Sequence, residues 1–169
     1  RKSAVFLYMN KHGYNGLCRY NMQGGFNVPF GRYKQTYFPE KEMLHFHQKS
    51  QNATFQHADF GEVMEACVLG DVVYCDPPYV PLSDTANFTG YSSGGFGWSE
   101  QQQLAKTAET LCLRQIPVVI SNHDTEFVRE IYHEARIVEF YVQRYISCDG
   151  SNRNKAAELL ALFLPTQER

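Results

Sequence analysis

"VVYCDPPYVPL", residues 72–82, is an apolar run that ends in an acidic residue, two prolines and a tyrosine. The apolar residues predict a short buried strand. Proline cannot donate a hydrogen bond to a neighbouring strand, so the strand must end near Asp76, and the fixed φ angles of Pro77 and Pro78 stiffen the turn that follows. The run therefore predicts a rigid turn that presents a carboxylate, a backbone carbonyl and the Tyr79 ring together. A strand that merely stops at proline beside an exposed acid is the alternative.

Other apolar runs predict more strands around this one. The segments "ATFQH" (53–57), "IPVVISN" (116–122) and "RIVEFYVQRYIS" (136–147) have the composition or the alternation of strands. The segment "AAELLALFL" (156–164) fits either a strand or a helix.

Helical patterns separate the predicted strands. They occur in "SAVFLYMN" (3–10), "PEKEMLHFHQKSQ" (39–51), "GEVMEACVLG" (61–70), "SEQQQLAKTAETLCLRQ" (99–115) and "DTEFVREIYHEA" (124–135). The fourth of these opens with an S-x-x-Q capping box at Ser99 and Gln102. Residues 77–97 predict a long loop. Strands that alternate with helices predict an α/β fold with a parallel sheet, in which ligands bind beyond the carboxyl ends of strands.

The composition predicts one globular domain, with 169 residues of which 43% are hydrophobic. No apolar run is long enough to cross a bilayer, and the first residues lack the pattern of a secretion signal. The five cysteines are odd in number and contain no C-x-x-C pair, so neither a disulfide framework nor a zinc site is expected. A soluble, cytosolic protein that binds no metal is the expectation.

Charge is distributed unevenly along the chain. Residues 1–39 contain six Lys or Arg and no Asp or Glu, whereas the other residues contain ten basic and eighteen acidic side chains. The basic part also holds nine aromatic residues interleaved with Asn and Gly. Basic groups suit phosphates, aromatic rings stack on bases, and Arg or Asn can read base edges, so this part favours a nucleic-acid interface. A Gly-rich surface loop with aromatic residues packed beneath it is an equal alternative.

Four segments together resemble one family of enzymes. D-P-P-Y is a form of the [DNS]-P-P-[YFW] motif of amino-methyltransferases that depend on S-adenosylmethionine, and "YCDPPYVPLSDTANFTGY" (74–91) is similar to the version in the DNA adenine methyltransferase (Dam) family. "GYNGLCRYN" (13–21) and "FNVPFGRYK" (26–34) resemble the two halves of that family's target-recognition segment, and "ISNHDT" (120–125) also matches.

This resemblance implies methylation of adenine N6 in GATC sites of double-stranded DNA, with S-adenosyl-L-methionine as cofactor and neither a metal nor a membrane involved. It implies a partial Rossmann-like methyltransferase sheet with an inserted target-recognition segment. The end of a helix and that segment would occupy residues 1–38, and the carboxyl-terminal part of the catalytic domain would occupy residues 39–169. The complete protein is expected to be monomeric, cytoplasmic and associated with the nucleoid, of bacterial or phage type.

The resemblance assigns the catalytic role to Asp76, Pro77, Pro78 and Tyr79. Asp76 and the Pro77 carbonyl would accept the two amino hydrogens of adenine, which localises the lone pair on the nitrogen. Tyr79 would stack on the adenine after it has left the duplex.

Only half of the family's cofactor contacts can be recognised. Asp59 and Phe60, in "HADF", resemble the residues that bind the adenine of the cofactor, and Asp76 is the third expected contact; a helix N-cap followed by a core Phe is the alternative for the first two. The family's Gly-rich F-x-G-x-G segment and its ribose-binding acid are not found. The chain is therefore expected to be a fragment that lacks the amino-terminal part, with two absent strands between the "ATFQH" and "DVVYC" strands of the sheet.

The resemblance also implies DNA contacts within residues 11–34. Tyr14 would intercalate, Asn15 would face the orphan thymine, and Arg19 would read a guanine through O6 and N7. The other expected contacts, to thymine methyl groups, to phosphates, to the end of the site or in support of the loop, are Lys11, Leu17, Asn21, Asn27, Pro29, Arg32, Tyr33 and Lys34.

Two alternatives stay open at this point. The chain could be an inactive, DNA-binding remnant of such an enzyme, which a measurement of cofactor binding would reveal. It could also be a cytosine-N4, RNA or protein-glutamine methyltransferase, because motifs like D-P-P-Y serve those enzymes too. The paired recognition segments argue against the second alternative.

Overall fold

A computed structural model of the chain describes residues 1–82, 96–143 and 155–165. The chain divides into two compact units, Arg1–Gln56 and His57–Arg169. This division differs from the functional boundary predicted after residue 38, which stays a prediction.

Parts of two sequence predictions fall outside the described residues. They are most of the loop predicted at 77–97 and the end of the strand predicted at 136–147.

The first unit contains two helices and an irregular segment between them. Helix α1 spans Lys2–His12 and helix α2 spans Glu40–Ser50. Pro39 is the N-cap of α2, so that helix begins where the sequence predicts. Neither helix buries a side chain. The irregular segment includes a single 3-10 turn at Tyr14–Gly16.

The described residues of the second unit are built on a four-stranded sheet. Its helices and strands, in chain order, are α3 (Phe60–Glu65), β1 (Val73–Cys75), α4 (Trp98–Leu113), β2 (Val118–His123), α5 (Glu126–Ile131), β3 (Arg136–Gln143) and β4 (Lys155–Phe163). The strand order across the sheet is β1-β2-β4-β3. The segment that fitted either a strand or a helix is therefore strand β4.

The sheet is mixed, whereas the sequence predicted a parallel one. β1 and β2 are parallel, but β4 runs antiparallel to both β2 and β3. Only residues 144–154 join β3 to β4. A parallel crossover needs about a dozen residues or more, so this connection favours an antiparallel return. The parallel prediction is wrong for two of the three strand pairs.

The strand predicted at 53–57 is absent, because residues 53–59 have no regular structure. Phe55 is 73% exposed. A strand needs a neighbour to satisfy its backbone hydrogen bonds, and no strand in the described ranges pairs with this segment.

The core of the second unit joins β2 and α4. Buried α4 residues follow the helical period and are Gln101, Leu104, Ala105, Ala108 and Leu111. The four apolar residues of this set cluster with Val118 and Ile120 of β2. Gln101 is the buried polar member of the set. This packing fixes α4 beside the carboxyl end of β1, where the D-P-P-Y turn follows.

Helix α4 begins earlier than predicted. Gly97 is the N-cap, and its N–H donates to Glu100 Oε2 at 2.6 Å. The capping box predicted at Ser99 and Gln102 is wrong because Glu100 occupies the third position after the cap, where a carboxylate can reach back to the N–H of the cap. None of the described helices is both long and apolar enough to cross a membrane.

Candidate active site and nucleic-acid interface

Asp76 follows β1 directly, at the carboxyl end of that strand. Ser121, on the neighbouring strand β2, donates from Oγ to Asp76 Oδ1 at 2.9 Å. The parallel register explains the contact, because Cys75 lies beside Ile120 and the next residue of each strand emerges at the same edge. Asp76 is exposed to solvent. One carboxylate oxygen is therefore oriented by the protein while the group stays accessible to a substrate.

Tyr79 lies half-buried at the end of the same turn. Its ring stands edge-on to the ring of His123, with centroids 5.0 Å apart and planes at 83°. Burial raises the pKa of the Tyr79 phenol, a hydrogen bond with Ser121 acts in the opposite direction, and the Asp76 carboxylate raises the pKa further. The phenol is therefore neutral at physiological pH and lies near the Asp76 carboxylate.

Three side chains hold the backbone of the turn. Gln101 Nε2 donates to the Pro78 carbonyl at 2.6 Å, and Asn122 Oδ1 accepts from the Val80 N–H at 3.0 Å. His123 Nδ1 lies 2.5 Å from the Val80 carbonyl oxygen. The turn is therefore held by side chains as well as by its prolines.

Cys75 precedes Asp76 but is not prepared to act as a nucleophile. Burial raises the pKa of its thiol to about 11, and Cys67 adds to the effect. The thiol is therefore protonated at neutral pH, and the thiolate is the reactive form. Within the described ranges, no group of three or more His, Cys, Asp or Glu side chains could hold a metal ion.

Asp59 and Phe60, the expected cofactor contacts, begin helix α3. Asp59 is its N-cap, and Asp59 Oδ1 accepts from the Gly61 N–H at 2.8 Å. Phe60 is half-buried, with its ring centroid 5.6 Å from that of Phe96. The helix-cap alternative is therefore observed. The cap uses one oxygen of the exposed Asp59 carboxylate, and the other oxygen can still accept a hydrogen bond.

Tyr14 and Asn15 are adjacent and exposed in the 3-10 turn after α1. The Tyr14 N–H donates to the Pro29 carbonyl at 2.9 Å, and Asn15 has a φ of 52°, in the left-handed region that Asn tolerates. Gly13 is required here because a Cβ atom would lie 2.8 Å from the Met9 carbonyl oxygen. The backbone of the other half of the segment thus braces the turn.

Arg19 and Asn27 pair across the irregular segment. Arg19 donates from Nε and Nη2 to the Asn27 carbonyl at 2.9 and 2.7 Å, and the Asn27 N–H donates to the Arg19 carbonyl at 2.8 Å. Asn21 Oδ1 accepts from the N–H groups of Gln23 and Gly25 at 3.0 and 2.8 Å, so Asn21 supports the loop. A base contact by Arg19 would have to replace its bond to Asn27.

The other expected DNA contacts differ in exposure. Lys11 and Leu17 are half-buried. The exposed ones are Pro29, Arg32, Tyr33 and Lys34. Tyr33 also donates from its hydroxyl to the Gly13 carbonyl at 3.3 Å. All eleven expected DNA contacts lie in the first unit, whereas the expected catalytic and cofactor contacts lie in the second.

The sequence did not point to several polar residues of the candidate active site, among them Gln101, Ser121 and Asn122. All three are buried, with exposures of 0%, 2% and 0%. Two signals could have found them. Gln101 lies on the apolar stripe of a helix, and the other two are buried polar residues that follow three apolar residues in β2.

Comparison with known proteins identifies the family of this chain. Residues 1–146 match the model described as D12 class N6 adenine-specific DNA methyltransferase. The chain belongs to this family. The resemblance seen in the sequence is thereby confirmed.

Several curated relatives of this D12 family chain are named DNA adenine methylase. The relative from Escherichia coli (strain K12) is 53% identical over 165 residues, which are 98% of this chain and 59% of the relative. The relative from Vibrio cholerae (El Tor Inaba N16961) is 53% identical over 165 residues, 97% of this chain and 60% of the relative. The relative from Serratia marcescens is 51% identical over 164 residues, 96% of this chain and 61% of the relative. The chain thus spans about three fifths of the length of these relatives.

Proposed function

We propose that this chain carries the catalytic and target-recognition residues of an enzyme that methylates adenine N6 in GATC sites of double-stranded DNA, with S-adenosyl-L-methionine as methyl donor. Membership of the D12 family and the names of its relatives support adenine in DNA as the substrate. The observation that carries the proposal is the end of β1, where Ser121 orients an accessible Asp76 carboxylate next to the Pro77 carbonyl.

This pair of acceptors suits an aromatic amine. The amino nitrogen of adenine is a poor nucleophile because its lone pair is delocalised into the ring. Asp76 and the Pro77 carbonyl each accept one amino hydrogen, which favours a pyramidal nitrogen and stabilises its developing positive charge. Gln101 already donates to the Pro78 carbonyl, so the Pro77 carbonyl is the one assigned to the substrate. The methylated nitrogen then loses a proton to Asp76 or to water.

Asp59 and Phe60 fit one part of the cofactor. The free oxygen of Asp59 accepts from the amino group of the cofactor's adenine, and Phe60 offers its ring face. S-adenosyl-L-methionine, when bound, supplies a methyl group on a positively charged sulfur, which keeps the electron pair of the broken bond. The nitrogen lone pair forms the new bond directly, so no protein nucleophile is needed. The raised pKa of Cys75 agrees with that chemistry.

DNA recognition is assigned to the first unit and base capture to Tyr79. A base inside a duplex cannot reach the methyl donor in line, so the adenine leaves the stack and packs on the Tyr79 ring. Tyr14 and Asn15 fill the space that it vacates, and Arg19 reads a neighbouring guanine. The exposed Arg32 and Lys34 contact phosphates.

A chimera tests the proposal. Residues 1–165 replace the matched segment of the Escherichia coli relative, and the chimera is expressed in cells that lack their own DNA adenine methylase. We expect N6-methyladenine in GATC sites and no modification of other adenines, measured by mass spectrometry of genomic DNA and by cleavage with methylation-sensitive nucleases. The unsubstituted relative is the positive control.

Each other outcome of that experiment contradicts the proposal. Methyl groups on cytosine or on RNA would show that the substrate is not adenine in DNA. A folded chimera that binds GATC duplexes but transfers no methyl group would support the inactive, DNA-binding alternative.

A further inference from the structure

We propose that Gln101 and Asn122 are positioning residues, which form a buried amide clamp that fixes Tyr79 for stacking on the target base. This inference rests on the proposed function, because it concerns how the same site holds its substrate. The clamp is defined as the side chains of Gln101 and Asn122 together with the two backbone groups that they bind, the Pro78 carbonyl and the Val80 N–H.

The clamp binds the backbone on both sides of Tyr79. Gln101 Nε2 donates to the Pro78 carbonyl at 2.6 Å, and Asn122 Oδ1 accepts from the Val80 N–H at 3.0 Å. These two groups belong to the peptide units that flank the Tyr79 Cα atom. Fixing both units fixes φ and ψ of Tyr79, and with them the direction of its Cα–Cβ bond.

The two amides also bind each other. Asn122 Nδ2 donates to Gln101 Oε1 at 3.0 Å and lies 3.3 Å from the Tyr132 hydroxyl. Gln101, Asn122 and Tyr132 are each 0% exposed. Burial raises the pKa of Tyr132 to about 12, so its hydroxyl stays neutral. The clamp is therefore a closed network whose geometry cannot relax by exchange with water.

The position of the clamp indicates a role in the candidate active site rather than in stabilising the core. Burying two amides costs free energy unless every polar atom is paired, and an apolar pair of similar volume would fill the same space at lower cost. These amides lie on the apolar stripe of α4 and in the second half of β2, and from there both reach the D-P-P-Y turn. A misplacement of about 1 Å can lower a rate by about a hundredfold, so such a clamp has a catalytic benefit.

The test compares matched variants in the chimera. Gln101→Met keeps the volume and removes the three hydrogen bonds of the side chain, with Pro78, Asn122 and Tyr132. Gln102→Met makes the same change one residue further along α4, where the side chain is exposed. Tyr132→Phe removes a hydroxyl of the same network that binds no atom of the turn.

We expect Gln101→Met to lower the single-turnover methylation rate by about 10- to 100-fold. The dissociation constants for duplex and cofactor should change by less than about threefold, since the loss falls on the transition state. With 2-aminopurine as the target base, whose emission is quenched by stacking on tyrosine, the Gln101→Met complex should be brighter than the wild-type complex. Gln102→Met should match the wild type in rate and emission, whereas Tyr132→Phe, which leaves both bonds to the turn in place, should lower the rate less than Gln101→Met does.

A second readout does not depend on activity. In the Gln101→Met chimera without DNA, the Val80 amide should exchange with solvent about tenfold faster relative to that of Ile120 in β2, because opening of the turn becomes easier. Gln101→Glu, which keeps the acceptor for Asn122 but loses the donor to Pro78, should show the same loss of rate.

The inference is overturned if Gln101→Met and Tyr132→Phe lower stability alike while the rate, the emission and Val80 exchange stay at wild-type values, which is the pattern of a purely structural network. If the unsubstituted chimera does not methylate DNA, the proposed function fails, while Val80 exchange still decides whether the clamp holds the turn.

Discussion

Asp76 combines an exposed carboxylate with a buried setting. The neighbouring Pro77 and Val80 are buried and anchor the turn, whereas Asp76 itself is exposed to solvent. A substrate can therefore approach a group whose position is already fixed. This arrangement supplies an acceptor that needs little reorganisation when charge develops on the substrate.

We expect Asp76→Ala to lower the single-turnover methylation rate of the chimera by about a hundredfold or more, since loss of one acceptor for developing charge costs about 3 kcal/mol. Affinity for the duplex should stay nearly unchanged, because Asp76 is not an expected DNA contact. Asp71→Ala is the control: it removes another exposed acid, whose Oδ2 accepts from the Val68 N–H in the turn before β1. A rate for Asp76→Ala within about threefold of that of the unsubstituted chimera would contradict the catalytic role assigned to Asp76.

Arg19 should decide sequence preference, whereas Lys34 should not. Arg19→Ala is expected to cost about 1 to 3 kcal/mol at one G·C pair of the site and to relax specificity there, because one bidentate base contact is lost. Lys34→Ala should weaken binding to all duplexes alike and reduce the salt dependence. Competition binding with GATC and single-substitution duplexes measures both effects.

Arg19→Lys serves as a control that keeps the charge but not the two-pronged donor. It should lose specificity as Arg19→Ala does. If Arg19→Ala instead lowered binding to GATC and to other duplexes by the same factor, Arg19 would be a phosphate contact.

The residues of the site differ in how far the sequence predicts them. Asp76 can be placed because prolines mark the end of its strand, and strand ends are where ligands bind. Gln101 is harder, because "EQQQL" contains three identical residues, and only the register of the apolar stripe distinguishes the buried one. The bond between Ser121 and Asp76 depends on which strands are neighbours, which no local pattern encodes.

At the scale of elements, α5 and β3 are joined by a charged cluster. Arg129 in α5 donates from Nε to Asp124 Oδ1 at 2.6 Å and from Nη2 to Glu139 Oε1 of β3 at 2.5 Å. The hydrogen bond from Arg129 holds the pKa of the Asp124 carboxyl below its ordinary value of 3.8. Asp124 directly follows β2, so the cluster links the end of that strand to the helix and to the far strand of the sheet.

We expect Asp124→Asn to lower the urea midpoint of the chimera at pH 7, since the folded state loses its charged partner for Arg129. A depressed folded-state pKa contributes stability that is present above the ordinary value of 3.8 and is lost as the pH falls below it. The difference between the wild type and the variant should therefore shrink below pH 3.8. Urea unfolding followed by circular dichroism, at pH 7 and at pH 3, measures both midpoints.

Glu134→Gln is the matched control for that experiment. It changes a surface contact with His133 in which both side chains are more than half exposed, and such contacts contribute little to stability. If the difference in urea midpoint between Asp124→Asn and the wild type stayed constant down to pH 3, the charge of Asp124 would not be the source of the stabilisation.

Local patterns predict most of the elements but not their pairing. β1, β2, β3, α2 and α5 lie in their predicted segments, and α1 extends its predicted run in both directions. By contrast, α3 ends at Glu65 rather than near Gly70, and α4 begins before its predicted cap. β4 stayed ambiguous because "AAELLALFL" is apolar at both the strand and the helix period. The antiparallel insertion of β4 is a tertiary result, and the segment 53–57 shows that strand propensity without a neighbour gives no strand.

At the scale of the whole molecule, apolar surface is exposed in both units. Val72 and Tyr74 at β1 are 71% and 64% exposed, and Leu113 at the end of α4 is 85% exposed. Phe38 and Phe46 of the first unit are 62% and 63% exposed. Among the described strands, β1 pairs only with β2, so its other edge offers unpaired backbone groups. Such surface is normally covered by further chain or by a partner.

We therefore expect the 169-residue chain by itself to aggregate readily or to unfold without a sharp transition. It should show no measurable methylation and no tight binding of S-adenosyl-L-methionine, because only three of its residues, Asp59, Phe60 and Asp76, are proposed to contact the cofactor. Weak, salt-sensitive binding of duplexes through residues 11–34 should persist, since the irregular segment is braced by contacts within its own unit. Titration calorimetry, thermal unfolding and a methyl-transfer assay measure these properties.

The part of the Escherichia coli relative that this chain does not match provides the control for that prediction. Supplied as a separate chain, it should restore some methyl transfer if it pairs with the open edge of β1 and completes the pocket. An unrelated protein of similar size should restore none. Micromolar cofactor binding by a soluble, cooperatively unfolding 169-residue chain would contradict this account, because the pocket would then be complete without any further strand beside β1.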